Sequence, residues 1–164
     1  MVTRIATIAD VQRIREIAEI TWPVTYSNII TSEQIDFMLN WMYDTTTISN
    51  AINSSNQDFI VLINKGETIG FSGIEHNYEN QLITRIHKLY VLPDKQGLGC
   101  GKALLNFVIN EAEKNASKLL HLNVNKQNPA VQFYVKCGFE IEKEVVLDIG
   151  NGFVMDDYIM VLPL

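Results

Sequence analysis

The stretch of sequence most suggestive of chemistry is QGLGCGK, from Gln96 to Lys102, in which glycines occupy alternate positions. A helix-like apolar pattern, ALLNFVINEA, begins immediately after it. A glycine-rich turn at a helix start leaves backbone N–H groups free and adds the positive end of the helix dipole. The segment therefore predicts an anion-binding loop, and the identity of the anion must come from the elements around it.

Two common nucleotide motifs do not fit this loop. A Walker loop needs a glycine five positions before its Gly-Lys pair and Ser or Thr after the lysine, but Gln96 and Ala103 occupy those positions. A dinucleotide fingerprint needs its third glycine one residue later than Gly101, directly after the first strand of a βαβ unit. Both comparisons disfavour ATP or NAD, and an enzyme that binds either one remains an alternative.

Length and charge narrow the class of protein. The 164 residues are 47% hydrophobic and carry a formal net charge of −6. The length is close to one domain per roughly 150 residues, so we expect one domain over residues 1–164 whose core needs no disulfide. The negative charge disfavours nucleic acid as a partner, because such binding rests on Lys and Arg. It is compatible with a cationic substrate.

The cysteines and the N-terminal segment bear on location. Cys100 and Cys137 have neither a CxxC partner nor a His at metal-ligand spacing. We expect both to be small buried residues, and we expect no metal. The N-terminal residues lack a basic region followed by an apolar run, and no apolar run approaches the roughly 18 residues of a membrane span. The prediction is a cytoplasmic protein with no membrane partner.

The apolar periodicity predicts a mixed α/β fold. Capping signals at Thr7 and Thr31 begin two helices, and we expect Pro23 to interrupt the first. Further helices are expected over Thr45–Ser55, after QGLGCGK, and from Asn128-Pro129 to Gly138. Seven strands are expected, the second to fourth in antiparallel succession: Thr3–Ile8, Phe59–Ile63, Thr68–Ile74, Leu82–Leu92, Leu119–Val124, Phe139–Ile149 and Val154–Leu162.

Read with its neighbours, the loop resembles the pyrophosphate loop of the GNAT superfamily of acyl-CoA N-acyltransferases, Gln/Arg-x-x-Gly-x-Gly/Ala. The segments that carry the resemblance are Gln96-x-x-Gly99-x-Gly101, the preceding strand Leu89-Tyr90-Val91-Leu92-Pro93, and the later Asn128-Pro129-Ala130, Phe133-Tyr134 and Cys137-Gly138-Phe139. The order of elements matches this family over essentially the full chain. The resemblance implies a mostly antiparallel central sheet of about seven strands, flanked by helices and splayed between strands 4 and 5.

The resemblance also implies acetyl-CoA as co-substrate and a set of residues that bind it. Its pyrophosphate would lie on Gln96, Gly97, Leu98, Gly99, Cys100, Gly101 and Lys102, although Lys102 is equally compatible with a solvated side chain. The pantetheine arm would bind the strand Leu89, Tyr90 and Val91, with Asn128 close by. Asn128 also fits a simple helix cap without a ligand.

Direct attack of a neutral amine on the thioester is the implied reaction. By resemblance, Tyr134 would protonate the leaving thiolate, although its place in the apolar stripe of its helix also suits a packing role. A backbone N–H of the Leu89–Val91 strand would hold the developing oxyanion. The base that removes the proton of the amine is left open among His87, Glu75 and His76, of which His87 lies on the key strand.

The acceptor pocket implied by the resemblance lies between the N-terminal helices and the last hairpin. These segments supply Trp22, Tyr26, Trp41 and Tyr43, then Asp156, Asp157 and Tyr158. Aromatic rings with carboxylates suit an alkylammonium group. Consecutive aspartates on a strand point to opposite faces, so at most one lines a pocket. Our predicted acceptor-binding residues are Trp22, Tyr26, Glu75 and Asp156.

The stretches TWPVTY, HKLYVLP, LNVNKQN and DIGNGFVMDDYIM resemble the bacterial spermidine/spermine branch of the family. A polyamine is therefore the first acceptor expected, within the broader class of small-molecule amines. The alternatives are acetylation of a protein or peptide amine and a non-catalytic domain that binds or senses acyl-CoA. A homodimer is compatible with either interpretation.

Overall fold

The structure, a computed structural model, describes every residue from Met1 to Leu164. Its centre is one seven-stranded sheet in the order β1-β2-β3-β4-β5-β7-β6, in which all neighbours are antiparallel except β4 and β5. The mixed α/β architecture predicted from the sequence is confirmed. The strands are β1 Val2–Ile5, β2 Gln57–Asn64, β3 Glu67–Glu75, β4 Ile83–Val91, β5 Leu119–Asn125, β6 Glu140–Gly150 and β7 Phe153–Pro163.

Five helices flank the sheet: α1 Val11–Tyr26, α2 Ser32–Met42, α3 Thr45–Ile52, α4 Cys100–Lys114 and α5 Ala130–Lys136. Helices α1 and α3 pack against β2, β3 and β4, whereas α4 packs against the four strands from β1 to β4. Their apolar faces join the sheet in one core of 34 buried residues. Each helix thus buries one face and leaves a polar face in water, as the 3.6-residue periodicity indicated.

None of the helices combines the length and the apolar character needed to cross a bilayer.

Two of the predicted element bounds near the N-terminus are wrong. β1 ends at Ile5 rather than Ile8, and a short 3-10 turn begins at Ile8. The Asp10 carboxylate causes this early end, because it accepts the Thr7 N–H at 2.8 Å and binds the Arg4 guanidinium. Pro23 does not interrupt the first helix, since α1 continues through it to Tyr26. The missing N–H of a proline removes one helical hydrogen bond, which the packing of the flanking aromatic residues offsets.

The sheet opens between β4 and β5. Their parallel pairing covers only Ile83–Ile86 of β4, opposite Leu119–Leu122 of β5. Beyond Ile86, β4 continues to pair with β3 alone, while β5 remains paired with β7, as it is along its whole length. The splay expected between strands 4 and 5 is therefore confirmed, and it leaves one side of the second half of β4 without a strand partner.

A β-bulge in β4 coincides with the opening. Gly73 of β3 pairs with Lys88 and Ile74 pairs with Ile86, so His87 is the extra residue with no partner on β3. A bulge reorients the side chains that follow it. Closer to the end of the strand, a Cβ on Gly70 would lie only 2.8 Å from the carbonyl oxygen of Tyr90. A glycine at this position therefore lets β3 and β4 approach closely beside the opening.

Candidate functional site

The glycine loop forms a row of free backbone donors. The first backbone bond of α4 runs from the Ala103 N–H to the Gly99 carbonyl at 3.0 Å, and no N–H between Gly97 and Lys102 has an acceptor within the chain. Gly97 and Gly99 have φ values of +76° and +80°, in the left-handed region that glycine adopts without strain. Six consecutive N–H groups at the start of a helix can therefore receive an anion.

The exposed side of β4 offers a second set of backbone groups. Leu92 donates its N–H to the carbonyl of Ile69 on β3 at 2.9 Å. Because hydrogen bonding alternates along an antiparallel ladder, the backbone groups of Leu89 and Val91 point away from β3 and into the opening. The Gln96 side chain donates to the Val91 carbonyl at 3.1 Å, which ties the loop to the strand.

A cleft of about 490 Å³ runs along the loop and the open side of β4, and we call it the outer cleft. All but one of the predicted CoA-binding residues line it, and the exception is Leu98, whose side chain is exposed. Its lining comprises Leu89, Tyr90, Val91, Gln96, Gly97, Gly99, Cys100, Gly101, Lys102, Asn128, Pro129, Ala130, Phe133, Tyr134, and Val24 and Thr25 of α1.

Asn128 has both roles that the sequence left open. Its side-chain oxygen accepts the Ala130 N–H at 2.9 Å, as a cap of α5 does, and its amide nitrogen donates to the Tyr26 hydroxyl at 3.4 Å. The residue also lines the outer cleft. On the other side of α5, a Cβ added to Gly101 would meet the Phe133 ring at 3.3 Å. Glycine here therefore lets α4 and α5 lie against each other at the cleft.

Tyr134 is buried among aromatic rings at the base of the cleft. Its ring centroid lies 5.2 Å from that of Phe133 and 5.4 Å from that of Phe139, both edge-on. Burial raises the pKa of the Tyr134 hydroxyl above its usual value, so the group is protonated at neutral pH. The hydroxyl makes no hydrogen bond within the chain, in agreement with a proton donor that acts on a ligand.

A smaller cavity of about 250 Å³ lies beyond β4, and we call it the inner cavity. One wall comes from α1 and α2, with Trp22, Tyr26, Met38, Trp41 and Met42, and the other from the ends of β4 to β7. The two spaces share five lining residues: Leu89, Tyr90, Asn128, Ala130 and Tyr134. Ligands in the cleft and in the cavity would therefore meet at Tyr134 and the open part of β4.

His87 faces the inner cavity from the bulge, and its ring nitrogen Nε2 lies 2.7 Å from the Glu75 carboxylate. Burial lowers the pKa of His87, against the opposing effect of Glu75, so the ring is neutral at pH 7. The Glu75 side chain does not line the cavity, but it contacts His87, which does. His76 lies elsewhere, buried between Thr84 at 2.9 Å and Asp58 at 3.1 Å, in a structural network.

Some of the aromatic residues predicted for the acceptor pocket line the inner cavity, and others belong to the hydrophobic core. Trp22 and Tyr26 line the inner cavity, with ring centroids 4.5 Å apart, but both are largely buried. Tyr43 is fully buried and supports Trp22 from behind at 5.8 Å. Trp41 is 56% exposed at the rim of the cavity. Tyr158 does not line it. The aromatic wall is therefore mainly part of the hydrophobic core.

Asp157, and not the predicted Asp156, belongs to the inner cavity. Asp157 is 6% exposed and lines the cavity, whereas the Asp156 carboxylate lies outside it in an ion pair with Lys126 at 2.7 Å. Only one of the two consecutive aspartates faces the pocket, as their alternation required. The signal that could have selected Asp157 is the buried face Met155-x-Asp157-x-Ile159 of β7, although the other face of this strand also carries apolar residues.

No local pattern in the sequence indicated the polar group beside Asp157. The Arg85 guanidinium donates to the Asn123 side-chain oxygen at 3.1 Å and to the Tyr78 hydroxyl, and it lies over the Tyr78 ring. Both Arg85 and Asn123 line the inner cavity. Pairing across β4, β5 and β7 brings these residues together, so no local motif could reveal them. No group of three or more His, Cys, Asp and Glu side chains lies close enough to hold a metal ion.

The model of the acetyltransferase (GNAT) domain family matches residues 27–158. This chain belongs to the GNAT acetyltransferase family. The resemblance to this family that the sequence shows is therefore confirmed. The matched region runs from the end of α1 to β7 and includes the loop, the opening and α5.

Among its GNAT relatives, the spermidine N(1)-acetyltransferase of Thermoplasma acidophilum is 27% identical over 154 residues, which cover 91% of each chain. The L-amino acid N-acyltransferase MnaT of Escherichia coli is 27% identical over 159 residues, covering 93% of this chain and 87% of that protein. An uncharacterized N-acetyltransferase of Methanocaldococcus jannaschii is 38% identical over 93 residues, but this chain spans only 41% of its length.

A GNAT crystal structure shows the same fold. The PaiA N-acetyltransferase from Thermoplasma acidophilum, solved in complex with coenzyme A, superposes with a TM-score of 0.85 at 24% identity and covers the whole of both chains.

Proposed function

We propose that this GNAT protein transfers the acetyl group of acetyl-CoA to a primary amine of a small molecule by direct attack in a ternary complex. The observation that carries the proposal is the meeting of the outer cleft and the inner cavity at Leu89, Tyr90, Asn128, Ala130 and Tyr134. One space suits a long anionic cofactor and the other a small acceptor. In this proposal the whole chain acts as one acetyltransferase domain.

Acetyl-CoA supplies an activated acyl group as a thioester. The free N–H groups from Gly97 to Lys102 would bind its pyrophosphate, with Lys102 adding charge from the rim of the cleft. The outward backbone groups of Leu89 and Val91 would hold the pantetheine arm in the manner of an added strand. An N–H of this segment would also bind the thioester oxygen, where negative charge develops as the amine attacks.

Tyr134 is proposed as the proton donor to the leaving thiolate. Its hydroxyl is protonated, lies where the two spaces meet, and has no competing partner in the chain. His87 is proposed to take the proton that the attacking amine loses. Its ring is neutral at pH 7, and Glu75 at 2.7 Å orients it and would stabilise the charged form.

Two classes of acceptor should be compared. The spermidine N(1)-acetyltransferase among the relatives and the aromatic wall around Trp22 support a polyamine. Two cations on the cavity wall, Arg85 and Lys88, instead favour an amine with a single positive charge. A protein or peptide amine is a broader alternative, but the small volume of the inner cavity supports a small molecule.

The test is release of free CoA from acetyl-CoA with a broad panel of amines, for the wild type and Tyr134→Phe. We expect turnover with at least one amine and a fall in kcat of about 10²-fold or more in the variant, since a general acid contributes about 10²–10⁴-fold. CoA should bind both proteins equally. CoA binding without turnover on any amine would instead support an acyl-CoA sensor, and an unchanged kcat in the variant would leave Tyr134 a packing residue.

A further inference from the structure

The inner cavity contains one carboxylate that the chain leaves unsatisfied. Asp157 Oδ1 is buried and has no hydrogen-bond partner within the protein. An unpaired buried acceptor on a charged group lowers the stability of the fold. A hydrogen-bond donor from outside the chain would offset this cost. The residue lines the same cavity as Tyr134 and His87. A cationic ligand in this cavity would satisfy the oxygen.

The surroundings of Asp157 keep the carboxylate available. Burial raises its pKa to about 6 and the negative charge of Asp156 adds to this, whereas Asn123, Arg85 and Lys126 oppose it. The carboxylate is therefore ionised at pH 7 without being consumed by an ion pair. The helices on the other side of the cavity contribute only uncharged lining residues, and so does β6.

The other charges on the wall are positive. Arg85 is held by Asn123 and Tyr78 on the sheet side of the cavity. Lys88 has no carboxylate partner, and its ammonium lies 5.5 Å from the Tyr43 ring centroid and 5.7 Å from that of Phe59. Burial lowers the pKa of Lys88 to about 8, so it is still mostly a cation at pH 7. A second ammonium group on an acceptor would therefore meet two like charges.

The remaining wall is apolar. Met38, Met42, Leu147, Ile149 and Met155 surround the polar end of the cavity. Such a lining fits a hydrocarbon or aromatic body that carries one charged end.

We propose that Asp157 binds the ammonium group of the acceptor, and that the acceptor is an amine with an apolar body and no second positive charge. The inference rests on the proposed acetyl transfer and narrows its acceptor class. Asp157 holds the ammonium as an ion pair. The N–H bond then breaks toward His87, which leaves the lone pair on nitrogen for attack on the thioester carbonyl carbon. The C–N bond forms, and the C–S bond breaks as Tyr134 protonates the sulfur. The second proton that the nitrogen loses as the amide forms returns to the Tyr134 phenolate.

The experiment measures kcat and KM for phenethylamine and spermidine at saturating acetyl-CoA, in the wild type and in Asp157→Asn, Asp156→Asn and Lys88→Met. We expect the wild type to have at least a tenfold higher kcat/KM for phenethylamine. Asp157→Asn should raise the KM for phenethylamine roughly 100-fold. Asp156→Asn, whose carboxylate lies outside the cavity, should stay within threefold. Lys88→Met should raise kcat/KM for spermidine about tenfold.

Two further readouts separate binding from folding. Asp157→Asn should not lower the midpoint of thermal unfolding at pH 7, because it removes an unpaired buried charge, and CoA should stabilise it as it does the wild type. The KM of the wild type for phenethylamine should rise as the pH falls through about 6, where the carboxylate becomes protonated, and this rise should vanish in the variant.

A wild-type KM in Asp157→Asn, an equal defect in Asp156→Asn, or a preference for spermidine would each overturn the proposal. If the wild type turns over no amine at all, the proposed function fails instead. The ammonium site is then measured by titrating the CoA complex with phenethylamine in a calorimeter. Binding that is lost in Asp157→Asn supports it, and binding unaffected by this substitution overturns it.

Discussion

In the proposed reaction, single residues divide the chemistry between binding and proton transfer. Tyr134 and His87 lie at the junction of the two spaces, one protonated and one neutral at pH 7. Burial also raises the pKa of Asp157, and one oxygen of its carboxylate, Oδ1, has no hydrogen-bond partner within the chain. These residues combine an acid, a base and an anion within one cavity. Environments that push such pKa values apart are typical of active sites.

The role of His87 is testable through pH. Burial depresses its pKa, so the neutral ring needed to accept a proton persists below the usual 6.5 of a histidine and is lost only at lower pH. We expect His87→Gln to reduce kcat about 10²-fold with little change in the KM for the amine. Steady-state kinetics between pH 4 and 9 measure both constants.

Glu75→Gln is the matched control for His87. The carboxylate of Glu75 raises the pKa of the ring, so its removal should move the acidic limb of kcat to lower pH without abolishing turnover. An unchanged kcat in His87→Gln would contradict the assignment and return the proton to water or another group.

Among the elements, the loop before α4 and the second half of β4 form the outer cleft, the proposed site of the cofactor. The loop offers free N–H groups because it turns through two glycines with positive φ before the helix begins. β4 offers backbone groups because β5 leaves it after Ile86. Neither element would suffice alone, since one binds charge and the other fixes an extended arm.

Substitution of Gly99 tests whether the conformation of the loop matters for CoA binding. A Cβ at this position meets nothing within 4 Å, so Gly99→Ala introduces only the strain of a positive φ, about 1–2 kcal/mol. We expect the variant to lose about 1 kcal/mol of stability and to bind CoA about tenfold more weakly, because relaxation of the strain turns N–H groups away from the pyrophosphate. Chemical denaturation and calorimetric titration with CoA measure the two effects.

Gly66→Ala serves as the control for this substitution. Gly66 has a φ of +83°, also meets nothing within 4 Å, and lies in the β2–β3 turn outside both spaces. Its variant should lose similar stability and keep wild-type affinity for CoA. Equal CoA affinities in the two variants would show that the conformation of Gly99 does not matter for the cofactor.

Over the whole molecule, the splayed sheet brings the cleft and the cavity to opposite sides of one strand segment. Strands β6 and β7, at one end of the sheet, complete the cavity, while the N-terminal helices close it from the other face. The cavity thus depends on contacts between the first and last thirds of the chain. Oligomeric state and location stay predictions from the sequence.

Stabilisation of the whole fold by a ligand tests the identity of the cofactor. At about 100 times its Kd, CoA should stabilise the fold by about 2.7 kcal/mol and raise the midpoint of thermal unfolding. ATP and NAD should not, because the loop lacks the residues of either nucleotide motif. Stabilisation by ATP or NAD and not by CoA would contradict the assignment of the outer cleft.

The sequence by itself determined the element order, the anion loop and the family. These features depend on local periodicity, on glycine spacing and on a motif contiguous in the chain, so they can be read without a fold. The same is true of the residues predicted to bind CoA, of which only Leu98 does not line the outer cleft. Local rules failed at Pro23, where packing outweighs the loss of one hydrogen bond.

Only the tertiary structure decided the acceptor side. Whether Asp156 or Asp157 faces inward depends on which face of β7 the helices cover, and both faces carry apolar residues. The sequence could not distinguish the roles of His76 and His87 either. A bulge in β4 turns His87 toward the cavity, whereas His76 is buried in a hydrogen-bond network with residues distant in the sequence. Arg85 and Asn123 meet only through strand pairing. Contacts between distant segments leave no local pattern, and they form the inner cavity that is proposed to bind the acceptor.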